Sequence, residues 1–122
     1  MASSGLASSG DGGTSAAPVD LVHLARHTFG NRALEQEVLR LFSRQSEIWL
    51  EKLKRAPDAG QRSEAAHTIK GSARGIGAWQ VAELAERVEG DAQAMTDGLS
   101  GDLEAAIAAA NTYIRHLLDE NG

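Results

Sequence analysis

A chain of 122 residues with 42% hydrophobic content and a net charge of −5 suits one domain around a single core. The acidic balance argues against nucleic acid as a partner, because phosphate calls for a basic patch. The absence of cysteine excludes disulfides, thiolate metal sites and cysteine nucleophiles. No apolar run approaches the ~20 residues that span a bilayer, so no membrane is expected. The opening residues hold neither a basic leader nor an apolar stretch. No secretory signal is therefore expected, and the cytoplasm is the expected location.

Residues 1–17 (MASSGLASSGDGGTSAA) offer almost nothing to bury and are predicted to form a flexible tail, followed by one domain over 18–120. Pro18 with Val19, Leu21, Val22, Leu24 and Ala25 reads as a short first helix, its proline in the opening turn. It should stop near Phe29-Gly30-Asn31. Asn31 is then the N-cap of a long second helix, whose predicted inward stripe is Leu34, Val38, Leu41, Phe42, Ile48, Trp49 and Leu53. Pro57-Asp58-Ala59-Gly60 breaks it. A third helix is predicted from about Arg62 to Ile76, ended by Gly75 and Gly77. A fourth should run from Trp79 to about Met95, with Val81, Leu84, Ala85, Val88, Ala92 and Met95 on one face. After Asp97-Gly98, a fifth carries Leu99, Leu103, Ala106, Ile107, Ala110, Ile114, Leu117 and Leu118. No stretch alternates with period two. The expected fold class is all-α: an antiparallel up-down four-helix bundle with a short additional N-terminal helix.

The chemistry concentrates on the third helix. At about 100° per residue, Ala65, Ala66, Ile69, Ser72, Ala73 and Ile76 share the core-facing arc, and His67 points to solvent. Lys70, Gly71 and Arg74 are its neighbours on the helix surface. An exposed imidazole has a nucleophilic nitrogen available near neutral pH. Transfer of a phosphoryl group is catalysed mostly by positioning and charge stabilisation, and Lys70 and Arg74 could supply that charge. Gly71 costs about 1 kcal/mol relative to alanine in a helix interior, and in return it removes a side chain that would crowd the ring.

The string His67-Thr68-Ile69-Lys70-Gly71-Ser72-Ala73, continuing to Gly77-Ala78, resembles the phosphoacceptor motif of histidine phosphotransfer (Hpt) domains, and the likeness runs from about Val19 to Leu118. The resemblance implies a monomeric bundle that carries phosphate without independent catalytic activity. His67 would take a phosphoryl group on Nε2 from a receiver-domain aspartate, of a response regulator or a hybrid histidine kinase, and pass it to another. This chain would bind no cofactor, the receiver supplying Mg²⁺. The resemblance further implies that Lys70 orients the phosphoryl group, Gly71 gives access, and Arg74 and Gly75 meet the partner. It also implies a polar residue on the next helix bonded to the other ring nitrogen. Glu89 is the candidate by spacing, where glutamine is common in the family, and Gln93 is the alternative. A glutamate could fix the tautomer, but it would repel a phosphoryl group that it faced.

His23 and His27, four apart, could share a metal, but no further ligand pattern supports this and a structural role is favoured. Trp49 and Trp79 read as packing residues. A sensor-kinase dimerisation segment fits less well, since Thr68 and Ile69 follow the histidine where an acidic residue and then a proline are usual. A scaffold of the same fold that binds a receiver or kinase without carrying phosphate is the main alternative function. No phosphate loop or catalytic triad suggests an independent enzyme.

Overall fold

The computed structural model describes residues 17–90 and 98–121. All of the expected tail except Ala17 lies outside them, as do Ala92, Gln93, Met95 and Asp97. The first helix, α1, is Leu21–His27. Pro18 precedes it instead of opening it, because Asp20 takes the N-cap and accepts a hydrogen bond from the His23 N–H at 3.1 Å. Phe29 and Gly30 then turn through positive φ (54° and 73°). Asn31 caps α2, Arg32–Arg55, accepting from the Leu34 N–H at 3.0 Å.

The third helix, α3, spans Ala59–Ile76 and begins three residues before the predicted start. Asp58 provides its cap, accepting from the Gln61 N–H at 2.8 Å, so only Pro57-Asp58 breaks the chain and Gly60 sits in a first turn. Gly75 lies inside the helix and does not end it. Gly77, at φ 79°, is the terminator, with the Ala78 N–H returning to the Ala73 carbonyl at 2.8 Å, a common left-handed helix end. α4 is Trp79–Gly90 and α5 is Leu99–Asn121.

The four long helices pack in a closed ring: α2 on α3, α3 on α4, α4 on α5 and α5 on α2, with α1 against α3. This is an antiparallel four-helix bundle with a short additional helix, and no strand occurs among the described residues. Leu24, Leu53, Ile69, Ile76, Leu103, Ile107 and Ile114 are fully buried at its centre. The inward face of α2 differs from expectation. Leu39, Phe42, Ser46, Leu50 and Leu53 are buried, Val38 and Trp49 are half-buried, and Leu34, Leu41 and Ile48 are exposed by 41–49%. The helix carries two apolar stripes, and the inward one is interrupted by Ser46. That serine is tolerated in the core because the buried Asn111 of α5 donates to its Oγ at 3.2 Å, which satisfies both groups at this contact.

Asp20 ties α1 to the corner between α3 and α4. Its N–H donates to the Gly77 carbonyl at 2.9 Å, and its Oδ2 accepts from the Trp79 indole N–H at 3.0 Å. The half-exposed Trp79 ring meets the His23 ring edge-on at 4.7 Å. A Cβ at Gly77 would stand 2.8 Å from the Asp20 Cβ and 3.0 Å from its carbonyl oxygen. Gly77→Ala is therefore expected to lower the unfolding free energy by about 2 kcal/mol, combining left-handed strain with this clash. Urea denaturation of the two proteins checks it, and an unchanged midpoint would show that the corner yields freely.

Candidate functional site

α3 and α4 meet through small side chains. The buried residues are Ala65, Ala66, Ile69, Ala73 and Ile76 on α3 and Val81, Ala82, Ala85 and Val88 on α4. His67 stands on the outer flank of this seam with its side chain 65% exposed. Glu89, in the last turn of α4, reaches across to it, and Glu89 Oε2 lies 2.8 Å from His67 Nδ1. The other carboxylate oxygen, Oε1, lies 2.6 Å from the Lys70 ammonium, which is mostly sheltered from solvent.

One carboxylate thus joins the imidazole and the lysine. The Lys70 hydrogen bond holds the Glu89 carboxyl below its ordinary range, partial burial opposes this, and the His67 bond assists. An ionised carboxylate can only accept hydrogen bonds. His67 Nδ1 must therefore carry the proton in this contact, and in the neutral ring the lone pair lies on Nε2, the nitrogen turned away from Glu89. The carboxylate faces Nδ1 with the ring between it and any group bonded to Nε2, which removes the repulsion that the sequence left open.

Lys70 and Arg74 are not the open cations expected from α3 alone. Lys70 pairs with Glu89, and Arg74 Nη2 lies 3.5 Å from Glu86 Oε2. Both partners come from α4. The Arg74–Glu86 pair is about half exposed on each side, so it adds about 0–1 kcal/mol at most. A Cβ built at Gly71 or Gly75 would meet nothing within 4 Å. The chain's own packing asks for glycine at neither position, and both leave the surface beside and beyond His67 open. Glu86 was missed in the sequence. Its signal was there: carboxylates three apart on α4 match cations four apart on the antiparallel α3. Gln93, the alternative partner, lies outside the described residues.

A groove of about 860 Å³ lies elsewhere, between α2 and α3, with Ile48, Trp49, Lys52, Pro57 and Glu64 among its walls. His67 projects from an open surface, its side chain 65% exposed. His23 and His27 have their ring centroids 4.1 Å apart, and His23 Nε2 donates to the Arg74 carbonyl at 2.8 Å, a structural contact. Among the described residues no three His, Asp or Glu side chains gather as metal ligands do. No described helix is long and apolar enough to cross a membrane.

Residues 37–120 match the family model of the Hpt domain. The fold is similar to the crystal structure of histidine-containing phosphotransfer protein B (HptB) from Pseudomonas aeruginosa PAO1, with a TM-score of 0.78 and 23% sequence identity over 87% of this chain and 98% of that one. No curated protein sequence matches the chain.

The Glu89 pairing generates a pH dependence of known sign. A carboxylate whose pKa is depressed by folding stabilises the native state wherever it is charged, and that contribution disappears as pH falls through the folded pKa. Wild type is therefore expected to be more stable than Glu89→Gln at neutral pH. The difference should persist down to the ordinary carboxylate pKa of 4.5 and vanish on further acidification. Urea unfolding of both proteins across this range measures it, and a difference independent of pH would show that the ion pair is not its source.

Proposed function

The chain belongs to the Hpt domain family, and from that premise we propose that it is a phosphoryl carrier that uses His67 to relay phosphate between receiver aspartates in a multistep phosphorelay. The observation that carries this reading is the Glu89–His67 hydrogen bond, which turns Nε2 outward with its lone pair free, beside the gap left by Gly71. In the forward step Nε2 attacks the phosphorus of an aspartyl phosphate. The N–P bond forms as the P–O bond to the aspartate breaks, and the receiver carboxylate leaves. The ring gains positive charge as Nε2 bonds to phosphorus, and the carboxylate on Nδ1–H stabilises it. Reversal of the same step onto a second receiver discharges the carrier. The receiver brings the Mg²⁺ that neutralises phosphate charge.

In this reading Glu89 is a positioning residue and Lys70 supplies cationic charge one turn from the acceptor nitrogen. Screening weakens that charge in the free protein, and a docked receiver that excludes water strengthens it. Gly71, Gly75 and Arg74 form the surface that the receiver covers, in a small and transient interface. The carrier has no independent catalytic activity, works as a monomer and resides in the cytoplasm with its receivers.

Phosphorylated receiver domains, incubated with this protein, should transfer an acid-labile, alkali-stable label to wild type and none to His67→Gln. Lys70→Ala should slow transfer by about ten- to a hundredfold without abolishing it, the worth of about 1.5–3 kcal/mol for a charged hydrogen bond. Gly71→Leu should block transfer while leaving the fold intact, or more stable by up to about 1 kcal/mol. A wild type that bound a receiver yet stayed unlabelled would replace the carrier with a scaffold. A Gly71→Leu protein with full transfer rate would remove the steric argument.

A further inference from the structure

The Glu89 carboxylate is engaged on both oxygens, by Lys70 at 2.6 Å and by His67 Nδ1 at 2.8 Å. Its backbone is tied to α3 as well, since the Ser63 hydroxyl donates to the Glu89 carbonyl at 3.4 Å. The charged groups around the ring, among the described residues, come chiefly from α3 and α4. Along α3, Glu64 and Lys70 stand three residues to either side of His67 and Arg74 two turns on. From α4 come Glu86, paired with Arg74, and Glu89, paired with Lys70. α1 contributes His23, bonded to the Arg74 carbonyl. The α2 groups Glu51, Lys52 and Arg55 line a groove against Gln61, Glu64 and Ala65 of α3, away from His67. The carboxylate 2.8 Å from Nδ1 is therefore the charge that acts on that nitrogen directly.

We infer that Glu89 retains the Nδ1 proton on the phosphorylated ring and so keeps His67 able to discharge at neutral and mildly alkaline pH. The inference deepens the carrier reading and rests on it for the existence of the phosphorylated ring. When an acceptor oxygen attacks phosphorus, the new P–O bond forms, the N–P bond breaks and its electron pair returns to Nε2. With a proton on Nδ1 the ring leaves as neutral imidazole. Without that proton it must leave as an imidazolate anion, a far poorer leaving group, which is why a phosphohistidine label resists alkali. An adjacent negative charge and a hydrogen bond to the cationic ring each hold the proton to higher pH. Glutamine at position 89 would keep an acceptor oxygen for Nδ1–H and remove the charge. Lys70 acts on this proton in the opposite sense, because its own positive charge disfavours a cationic ring. Glu89 touches the ring and not the phosphorus, so it remains a positioning residue. It serves release of the phosphoryl group as well as its capture.

The test charges the full chain with phosphoramidate, which needs no receiver. The P–N bond of the reagent breaks, ammonia leaves and the phosphoryl group bonds to a ring nitrogen. Isotope-labelled histidine makes the ring nitrogens visible to NMR, and spectra of His67→Gln separate His67 from His23, His27 and His116. The phosphoryl group is expected on Nε2. The Nδ1 proton should leave at a pH about one unit higher in wild type than in Glu89→Gln, the margin of a charged over a neutral hydrogen bond. In Lys70→Ala it should leave at the wild-type pH or above. Loss of the phosphoryl group, to water or to a receiver, should fall along the same curve. A proton lost at the same pH in wild type and Glu89→Gln, or a phosphoryl group on Nδ1, would overturn the inference. So would a Lys70→Ala curve lowered as far as that of Glu89→Gln, which would mark a merely structural effect. A proton held as expected, with loss to water following it, would uphold the inference even if no receiver accepted the phosphoryl group; that result would sink the carrier reading instead.

Discussion

The site depends on how closely α3 and α4 approach. Small residues fill much of the buried sides of both helices, with Ala65, Ala66 and Ala73 on one and Ala82 and Ala85 on the other. Interaxial distance follows the size of the side chains at the contact. Small ones let a glutamate rooted on α4 place its carboxylate 2.8 Å from an imidazole on α3. Larger residues in this seam would push the helices apart and leave His67 as an ordinary exposed histidine. The chemistry at the surface is therefore set by packing beneath it, and the helices that carry no reacting group contribute by holding the seam shut from behind.

The fold class was legible because turn chemistry and apolar periodicity agree along most of the chain. Asn31 caps α2 as its side chain predicts, and the buried residues of α3 and α5 fall where a 3.6-residue repeat puts them, although Ser72, Leu117 and Leu118 are only half-buried. α2 misled, for a physical reason. Its outward stripe of Leu34, Leu41 and Ile48 is as apolar as its inward one, and the inward one contains Ser46, which periodicity counts as surface. The buried Ser46 hydroxyl donates to the Ser43 carbonyl on its own helix and accepts from Asn111, and that second partner is 65 residues away in sequence. The start of α3 was set late because Ala59-Gly60 reads as a breaker, whereas Asp58 caps a helix that includes both.

The candidate site was legible in part for the same reason. The neighbours of His67 on its own helix follow from helical geometry, and glycine at position 71 stands out as a cost without a packing return. What α4 contributes depends on the relative phase of two helices, which local pattern does not determine. Glu89 could be named by spacing, but which ring nitrogen it would face could not. Nor could the sequence show that Lys70 and Arg74 would each meet a carboxylate. The Asp20–Gly77–Trp79 corner was invisible for a related reason, since its three residues carry no motif and meet only when α1 folds onto the end of α3.

Charge is distributed in this molecule with a consistency that the net value hides. On the α3/α4 seam the cations are compensated: Lys70 by Glu89 and Arg74 by Glu86. On the carrier reading, a partner docking there would meet a nearly neutral surface, and the charges would rearrange only when phosphate arrived. Pairing of this kind limits affinity for any anion other than the one delivered by a correctly seated partner, because a loosely bound ion must compete with carboxylates already in place. Compensation within the chain also favours exchange between partners that come and go, since little electrostatic energy has to be given up on release. On the carrier reading, that is the property a surface needs if it is to surrender its cargo as readily as it takes it.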